Sequence, residues 1–200
     1  MMRSPKVRTA ILISGRGSNM VAIAQAAQAT DYPAEIVGVI SNRPDAKGLE
    51  RAKALGLNTD IVDHKLYDNR KAFEQALHAQ LLALDPEIIC CAGFMRILTP
   101  WFVSQWHGRL INIHPSLLPK YKGLNTHQRA IEAGDTHAGV SVHWVTAELD
   151  GGEVIDQRSI EILPHDTADT LAERLLPVEL ALYPDALEAV ALQFQKQPRQ

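Results

Sequence analysis

Strand-length apolar runs alternate with helical patterns along most of this chain, and that alternation limits its folds more than any other feature. "VRTAILIS" (residues 7–14) reads as a first strand, followed by "GRGSN" and an Ala-rich helix through about Ala29. "EIVGVISN" is a second strand, "KGLERAKALG" a helix closing on a Gly, and "NTDIVD" a weaker third strand. "NRKAFEQALHAQLLAL" carries apolar residues at helical spacing. "PEIICCA", the short helix "PWFVSQW" and "LINIH" continue the series as fourth strand, helix and fifth strand. Such β-α-β alternation predicts an α/β fold with a doubly wound, mostly parallel sheet and right-handed crossovers. "GVSVHWV" and "EVIDQRSIEI" are separated only by "TAELDGG". That is too short for a crossover, so these two should pair antiparallel. "TADTLAERLLPVELALYPDALEAVAL" closes the chain as a helix that Pro177 and Pro184 should kink or break.

Two hundred residues suffice for one domain with a sizeable core. The hydrophobic share of 46% and charged share of 22% suit a globular chain rather than a disordered one. A net charge of −3 argues against a general nucleic-acid surface. No window reaches the ~20 apolar residues of a membrane span, and the basic start leads into a strand-length run rather than a secretory leader. Cys90 and Cys91 are adjacent within a strand, so they face opposite ways and should share neither a metal nor a disulfide. A reducing, cytoplasmic compartment is expected. Only the ends, "MMRSPK" and "QKQPRQ", look frayed.

Two stretches carry chemistry. "SGRGSN" joins the first strand to the first helix, where Gly15 and Gly17 permit a tight turn and free N–H groups can cradle an anion. A dinucleotide fingerprint would need a third Gly where Met20 stands and an acidic end to the second strand, which instead ends "SNR". The Walker pattern fails too, for no Gly-Lys-Ser/Thr follows. Ser18 and Asn19 as phosphate ligands, or as plain helix caps, both fit this turn. In "INIHPSLLP" (residues 111–119), strand alternation points Asn112 and His114 one way while Ile111 and Ile113 pack behind. Pro115 should end the strand. Alternation alone fits equally a satisfied polar pair at a sheet edge. Asp150 in "DGG" alone reads as a solvated turn. His64, His107 and His165 read as surface residues, and His143 in "SVHWV" as lining either a cleft or the core.

"GRGSN", "FMRILTP", "INIHPSLLP" and "ELDGG", in this order, resemble the phosphoribosylglycinamide formyltransferases of purine biosynthesis, over about residues 7 to 190. The resemblance implies transfer of a formyl group from the co-substrate 10-formyltetrahydrofolate to the amine of glycinamide ribonucleotide, without a metal, nucleic acid or membrane, by a monomer or homodimer. It implies one formyltransferase domain, with a nucleotide-binding half (about 7–105) and a folate-binding, catalytic half (about 106–192). It gives Asn112, His114 and Asp150 the catalytic roles. Gly17, Ser18 and Asn19 match the ribotide phosphate loop, and Glu179 the carboxylate that receives the glycinamide end. Met95, Arg96, Ile97 and Leu98, with Thr146, Ala147, Glu148, Leu149 and Asp150, match the folate pocket; Asn112 borders it and Arg70 is a further folate-side contact. Leu180 stands where many relatives have His, and "GLNTHQ" replaces the common "GLHTHQ". Relatives acting on methionyl-tRNA carry an added C-terminal domain and folate deformylases an N-terminal one; this chain's first strand starts at Val7 and its last helix ends near the C-terminus, so neither is expected. A non-catalytic folate- or nucleotide-binding module is the rival from another class, and turnover separates the two.

Overall fold

The strands assemble into the doubly wound, mostly parallel sheet that the alternation predicts. The computed structural model describes residues 5–196. One seven-stranded sheet runs β3-β2-β1-β4-β5-β6-β7. Its strands are β1 (Val7–Ile13), β2 (Ala34–Ser41), β3 (Thr59–Ile61), β4 (Ile88–Cys91), β5 (Leu110–His114), β6 (His137–Trp144) and β7 (Val154–Glu161). The first five are mutually parallel. β6 runs antiparallel to both β5 and β7. The antiparallel region therefore begins one pairing earlier than the β6–β7 connection alone predicts.

Helices α1 (Ser18–Ala27), α2 (Lys47–Ala54), α3 (Arg70–Leu84), α4 (Pro100–Gln105), α5 (Thr126–Glu132) and α6 (Ala168–Lys196) cover the sheet. Alternate strand residues feed two cores. Ile11, Ile13, Cys90, Ile111 and Ile113 join α1, α2 and α6 on one side. Leu12, Cys91 and Leu110 join α3 and α4 on the other. The two cysteines thus face opposite cores, both as free thiols. Burying one such Ile or Leu side chain contributes about 1.5–3 kcal/mol, so a polar residue at Ile11 or Leu12 would cost at least that.

One element has no counterpart in the sequence pattern, and two expectations need correction. α5, opened by Asn125 in a left-handed conformation (φ 56°), was not foreseen in "GLNTHQRAIE". Its seven residues are too few for a clear helical period. Of the kinks or breaks expected at Pro177 and Pro184, no break occurs: α6 is one helix through both. The buried face of Leu182, Tyr183, Pro184 and Leu187 outweighs the lost hydrogen bonds, and the Tyr32 hydroxyl ties the same stretch to the body of the protein by donating to the Pro184 carbonyl (2.7 Å). The Tyr183 hydroxyl reaches the carbonyls of Cys91 and Ile111, bridging β4 and β5 from below. At the termini, Lys6 Nζ donates to the Ala29 carbonyl and Gln195 Nε2 to that of Pro5, so the inner parts of the supposedly frayed ends are tied down. Residues 1–4 and 197–200 of those stretches lie outside the described residues.

Candidate active site

Strand order reverses between β1 and β4, which leaves a crevice at their carboxyl ends, the usual ligand position in open α/β sheets. Two loops border it. The glycine turn after β1 enters α1 through Gly17 in a left-handed conformation (φ 69°), with no side-chain cap on the helix. Neither Ser18 nor Asn19 caps α1: both lie inside it, and its first amides keep their donors free. A Cβ on Gly17 would come within 2.8 Å of the Gly48 backbone, so the turn is held tight against α2 by the absence of a side chain. Buried Asn19 donates through Nδ2 to Glu179 Oε1 (2.5 Å). The glycine turn and the α6 carboxylate, 160 positions apart, therefore meet. The Asn19 Oδ1 is buried without a partner among the described residues. Burial raises the Glu179 carboxyl above the ordinary range, and the Asn19 N–H partly offsets this.

The loop after β4 carries Met95, Arg96, Ile97 and Leu98. Ser14 N donates to the Gly93 carbonyl (3.1 Å) and the Ser14 hydroxyl accepts from Met95 N (2.8 Å), which locks the two loops together. Met95 and Ile97 stand 71% and 58% exposed, an apolar rim that water would not select. Buried Arg96 Nε lacks a partner among the described residues. A cavity of about 340 Å³ opens between Gly15, Asn42, Arg43, Gly93 and Arg96. His64 lines it and is only partly exposed, donating through Nδ1 to the Asn42 carbonyl (2.8 Å), which corrects its assignment to the surface. His107 and His165 are exposed as expected. A second cavity, about 350 Å³, lies behind the loop that follows β5, beside Tyr121, His127 and His137.

Polar side chains converge at the antiparallel end of the sheet. β5 stops at His114 and Pro115 follows. Asn112 and His114 project from the face opposite Ile111 and Ile113, which belong to the α6-side core. The His114 Nε2 donates to the Tyr121 carbonyl (3.0 Å), and its Nδ1 lies 3.4 Å from Asp150 Oδ2. Both partners are pure acceptors, so the doubly protonated ring is the form that satisfies both. The Asp150 side chain is only 9% exposed, which overturns the solvated-turn reading. It also accepts from Gly123 N (2.9 Å). Its φ of 47° is rare for a non-glycine residue and is the kind of strain that surrounding contacts must hold. Gly152 makes that turn possible, since a Cβ there would lie 1.7 Å from the Trp144 carbonyl oxygen.

His143 completes the group. Its register places it directly opposite Asn112, so both face one side. A register irregularity at Val142/His143 falls at this very residue, where bulges commonly re-aim a side chain. His143 Nδ1 faces the Trp144 carbonyl (2.9 Å) and carries the proton; Nε2 then accepts from Asn112 Nδ2 (3.2 Å) and lies 3.7 Å from Asp150 Oδ1. Burial lowers the His143 pKa against the opposing pull of Trp144 and Asp150, so the ring stays neutral near pH 7. The signal for it was the alternation in "SVHWV" together with a β5–β6 pairing that sequence reading did not supply. Of the other residues, Thr146 to Leu149 form an exposed turn in which Glu148 pairs with Lys122 (2.7 Å), and Arg70 opens α3, exposed.

Known proteins share this arrangement of strands and loops. Residues 7–187 match the formyl transferase family. Phosphoribosylglycinamide formyltransferase of Escherichia coli (strain K12) is 46% identical over 174 residues, 87% of this chain and 82% of that protein. The crystal structure of phosphoribosylglycinamide formyltransferase from Brucella melitensis gives a TM-score of 0.89 at 46% identity, covering 98% of each chain. Glycinamide ribonucleotide transformylase 1 from Symbiobacterium toebii gives 0.91 at 38% identity, covering 94% of this chain and 89% of that one. The trifunctional purine biosynthetic protein adenosine-3 of Chironomus tentans is 45% identical over 193 residues, yet the chain spans only 14% of its length. With a family match that takes in β1 through most of α6, the chain belongs to the formyl transferase family.

Proposed function

We propose that this chain transfers the formyl group of 10-formyltetrahydrofolate to the amine of glycinamide ribonucleotide, a step of purine biosynthesis. The observation that carries the reading is the convergence of Asn112, His114 and a buried Asp150 at the carboxyl end of β5. The ribotide phosphate sits on the free amides at Gly17, Ser18 and Asn19, and Glu179 receives the glycinamide end. Folate lies along Met95 to Leu98 and the turn Thr146–Asp150, where exposed Met95, Ile97 and Leu149 offer apolar contact and Arg96 and Arg70 offer charge.

The neutral amine attacks the formyl carbon, a C–N bond forms, and the carbonyl π pair moves to oxygen. One N–H of Asn112 is taken by His143, which leaves the other to point at that oxyanion. A protonated His114 adds a charge-assisted donor on the same side. Asp150 faces that ring and can pass the amine's proton through an intervening water. Collapse breaks the bond between the formyl carbon and the folate nitrogen; that nitrogen keeps the electron pair and takes a proton, with His114 as the acid in reach.

Incubating the protein with 10-formyltetrahydrofolate and the ribotide should yield formylated ribotide and tetrahydrofolate in equal amounts. Absence of formylated ribotide at stoichiometric protein would overturn the reading and leave a binding module.

A further inference from the structure

Glu74 lies outside the cleft, on α3, and is 1% exposed. A carboxylate so deeply buried is costly unless its oxygens are paired, and packing alone would be better served by an apolar residue. Both Glu74 oxygens are spent on a single residue. Thr99 N donates to Oε1 (2.7 Å), and the Thr99 hydroxyl donates to Oε2. The same hydroxyl accepts from Phe102 N (3.4 Å), so Thr99 caps α4 while Glu74 holds Thr99.

Thr99 is the last residue of the loop that carries Met95 to Leu98. The loop's other end is fixed by Ser14, through Gly93 and Met95. Between the two anchors Met95 and Ile97 stand exposed, and the Arg96 guanidinium lies 6.0 Å over the ring of Phe73, the neighbour of Glu74 on α3. One anchor comes from the ribotide side of the crevice. The other comes from α3 and touches no part of the ribotide site described above.

We infer that Glu74 is a positioning residue for the folate-side loop, setting the place of Met95 to Leu98 through its paired hydrogen bonds to Thr99. The inference rests on assigning that loop to folate. It separates the two substrates: loss of the Glu74 anchor should loosen the folate side and leave the phosphate turn as it is. Glu74→Gln keeps the shape but turns an N–H toward one of two Thr99 donors.

The test is steady-state kinetics with each substrate varied in turn, on the whole chain. Glu74→Gln should raise the folate KM about tenfold, the usual scale for losing a charge-assisted hydrogen bond, with kcat and the ribotide KM within about twofold. Thr99→Ser, which keeps both donors, should behave like the parent. Thr99→Val should raise the folate KM as well, and should add little to Glu74→Gln in the double variant, because the two act through one contact. Should Glu74→Gln not fold, the Thr99 pair carries the same test. A folate KM unchanged in Glu74→Gln and Thr99→Val despite a lower Tm would overturn the inference and leave Glu74 to packing; equal rises for both substrates would overturn it as general distortion. Arg96→Ala distinguishes the underlying reading. If it leaves the folate KM untouched, the loop is not the folate side at all. If it raises that KM while Glu74→Gln does not, only the role of Glu74 fails.

Discussion

In the parallel part of the sheet, the candidate binding groups sit past the strand ends, on loops; at the antiparallel end, Asn112, His114 and His143 sit on the strands themselves and Asp150 on the turn that joins β6 to β7. After β1 the groups open to the crevice under the proposed reading are largely backbone amides, made available by Gly17 and by an uncapped helix start. After β4 they belong to a loop pinned by Ser14 and Glu74. On β5 and β6, by contrast, Asn112, His114 and His143 are side chains aimed by strand alternation and cross-strand register. Loops suit the task of wrapping a substrate whose shape must be met from several directions. Strand positions suit the task of fixing a few atoms to within tenths of an ångström, as transition-state stabilisation requires. The network beneath His114 shows the second style. Ser141, paired with His114 in register, donates to the Ser116 carbonyl (2.6 Å) and accepts from Leu118 N (3.1 Å) and Gln157 Nε2 (2.8 Å). The segment leaving the strand is thereby held from three sides.

If precision resides at the antiparallel end, substitutions there should lower turnover and those in the parallel half should lower affinity. Asp150→Asn carries the largest expected effect. Asn tolerates the left-handed conformation at least as well, and its oxygen can still accept from Gly123 N, so the fold should persist. The charge facing His114 Nδ1 disappears, and kcat should fall by ~100-fold with dissociation constants nearly unchanged. Near-native turnover would break the distinction between the two regions. His143→Leu comes next. It keeps the bulk but removes the acceptor that orients Asn112, and a misdirected donor should lower kcat about tenfold while calorimetric affinities hold. A rise in KM without a change in kcat would assign His143 to binding instead.

Gly17→Ala tests the other half. The new methyl meets the Gly48 backbone at 2.8 Å and the left-handed φ penalises it further, by about 1–2 kcal/mol. The turn must open, so ribotide affinity should drop several-fold while folate affinity and kcat at saturation stay close to the parent. Should kcat fall and affinity hold, the phosphate turn would be part of the catalytic geometry after all.

What could be read from the sequence divides along the same line. The parallel half was legible because each strand and helix advertises itself through its own period. So was the pairing of Asn112 with His114, since two residues on one strand need only alternation. His143 needed the register between β5 and β6, and register is set by the three-dimensional pairing rather than by either strand alone. The burial of Asp150 depended on Gly123 and on Gly152 folding against Trp144, contacts that no local pattern encodes. The Asn19–Glu179 contact is legible only as a family resemblance, because 160 positions separate the two. α6 is the opposite case: its helical period was legible, two prolines raised the prospect of a break, and burial of one face carried the helix through both.

Glu179→Gln carries the smallest effect and the sharpest sign. Its carboxyl is half-shielded on α6 against Asn19, and burial raises its pKa. A folded-state value above the unfolded one means that the native protein holds extra proton between the ordinary carboxylate range, about 4.3, and the raised value. Stability therefore falls as pH rises through that window and stays lower above it. Glutamine cannot titrate and still accepts from Asn19 Nδ2, so it escapes the penalty. The variant should melt at the same temperature as the parent in acid, below the ordinary carboxylate range, and at a higher one above the raised value. It should also bind the ribotide several-fold more weakly, because the glycinamide end meets a neutral amide in place of a carboxylate. Folate affinity and kcat at saturation should not move. Melting curves taken across that pH range check the first statement and calorimetry the second. A parent more stable than the variant at neutral pH would mean that the carboxylate is paired by more than Asn19. A fall in kcat at saturating ribotide would instead move Glu179 from the region that binds to the region that reacts.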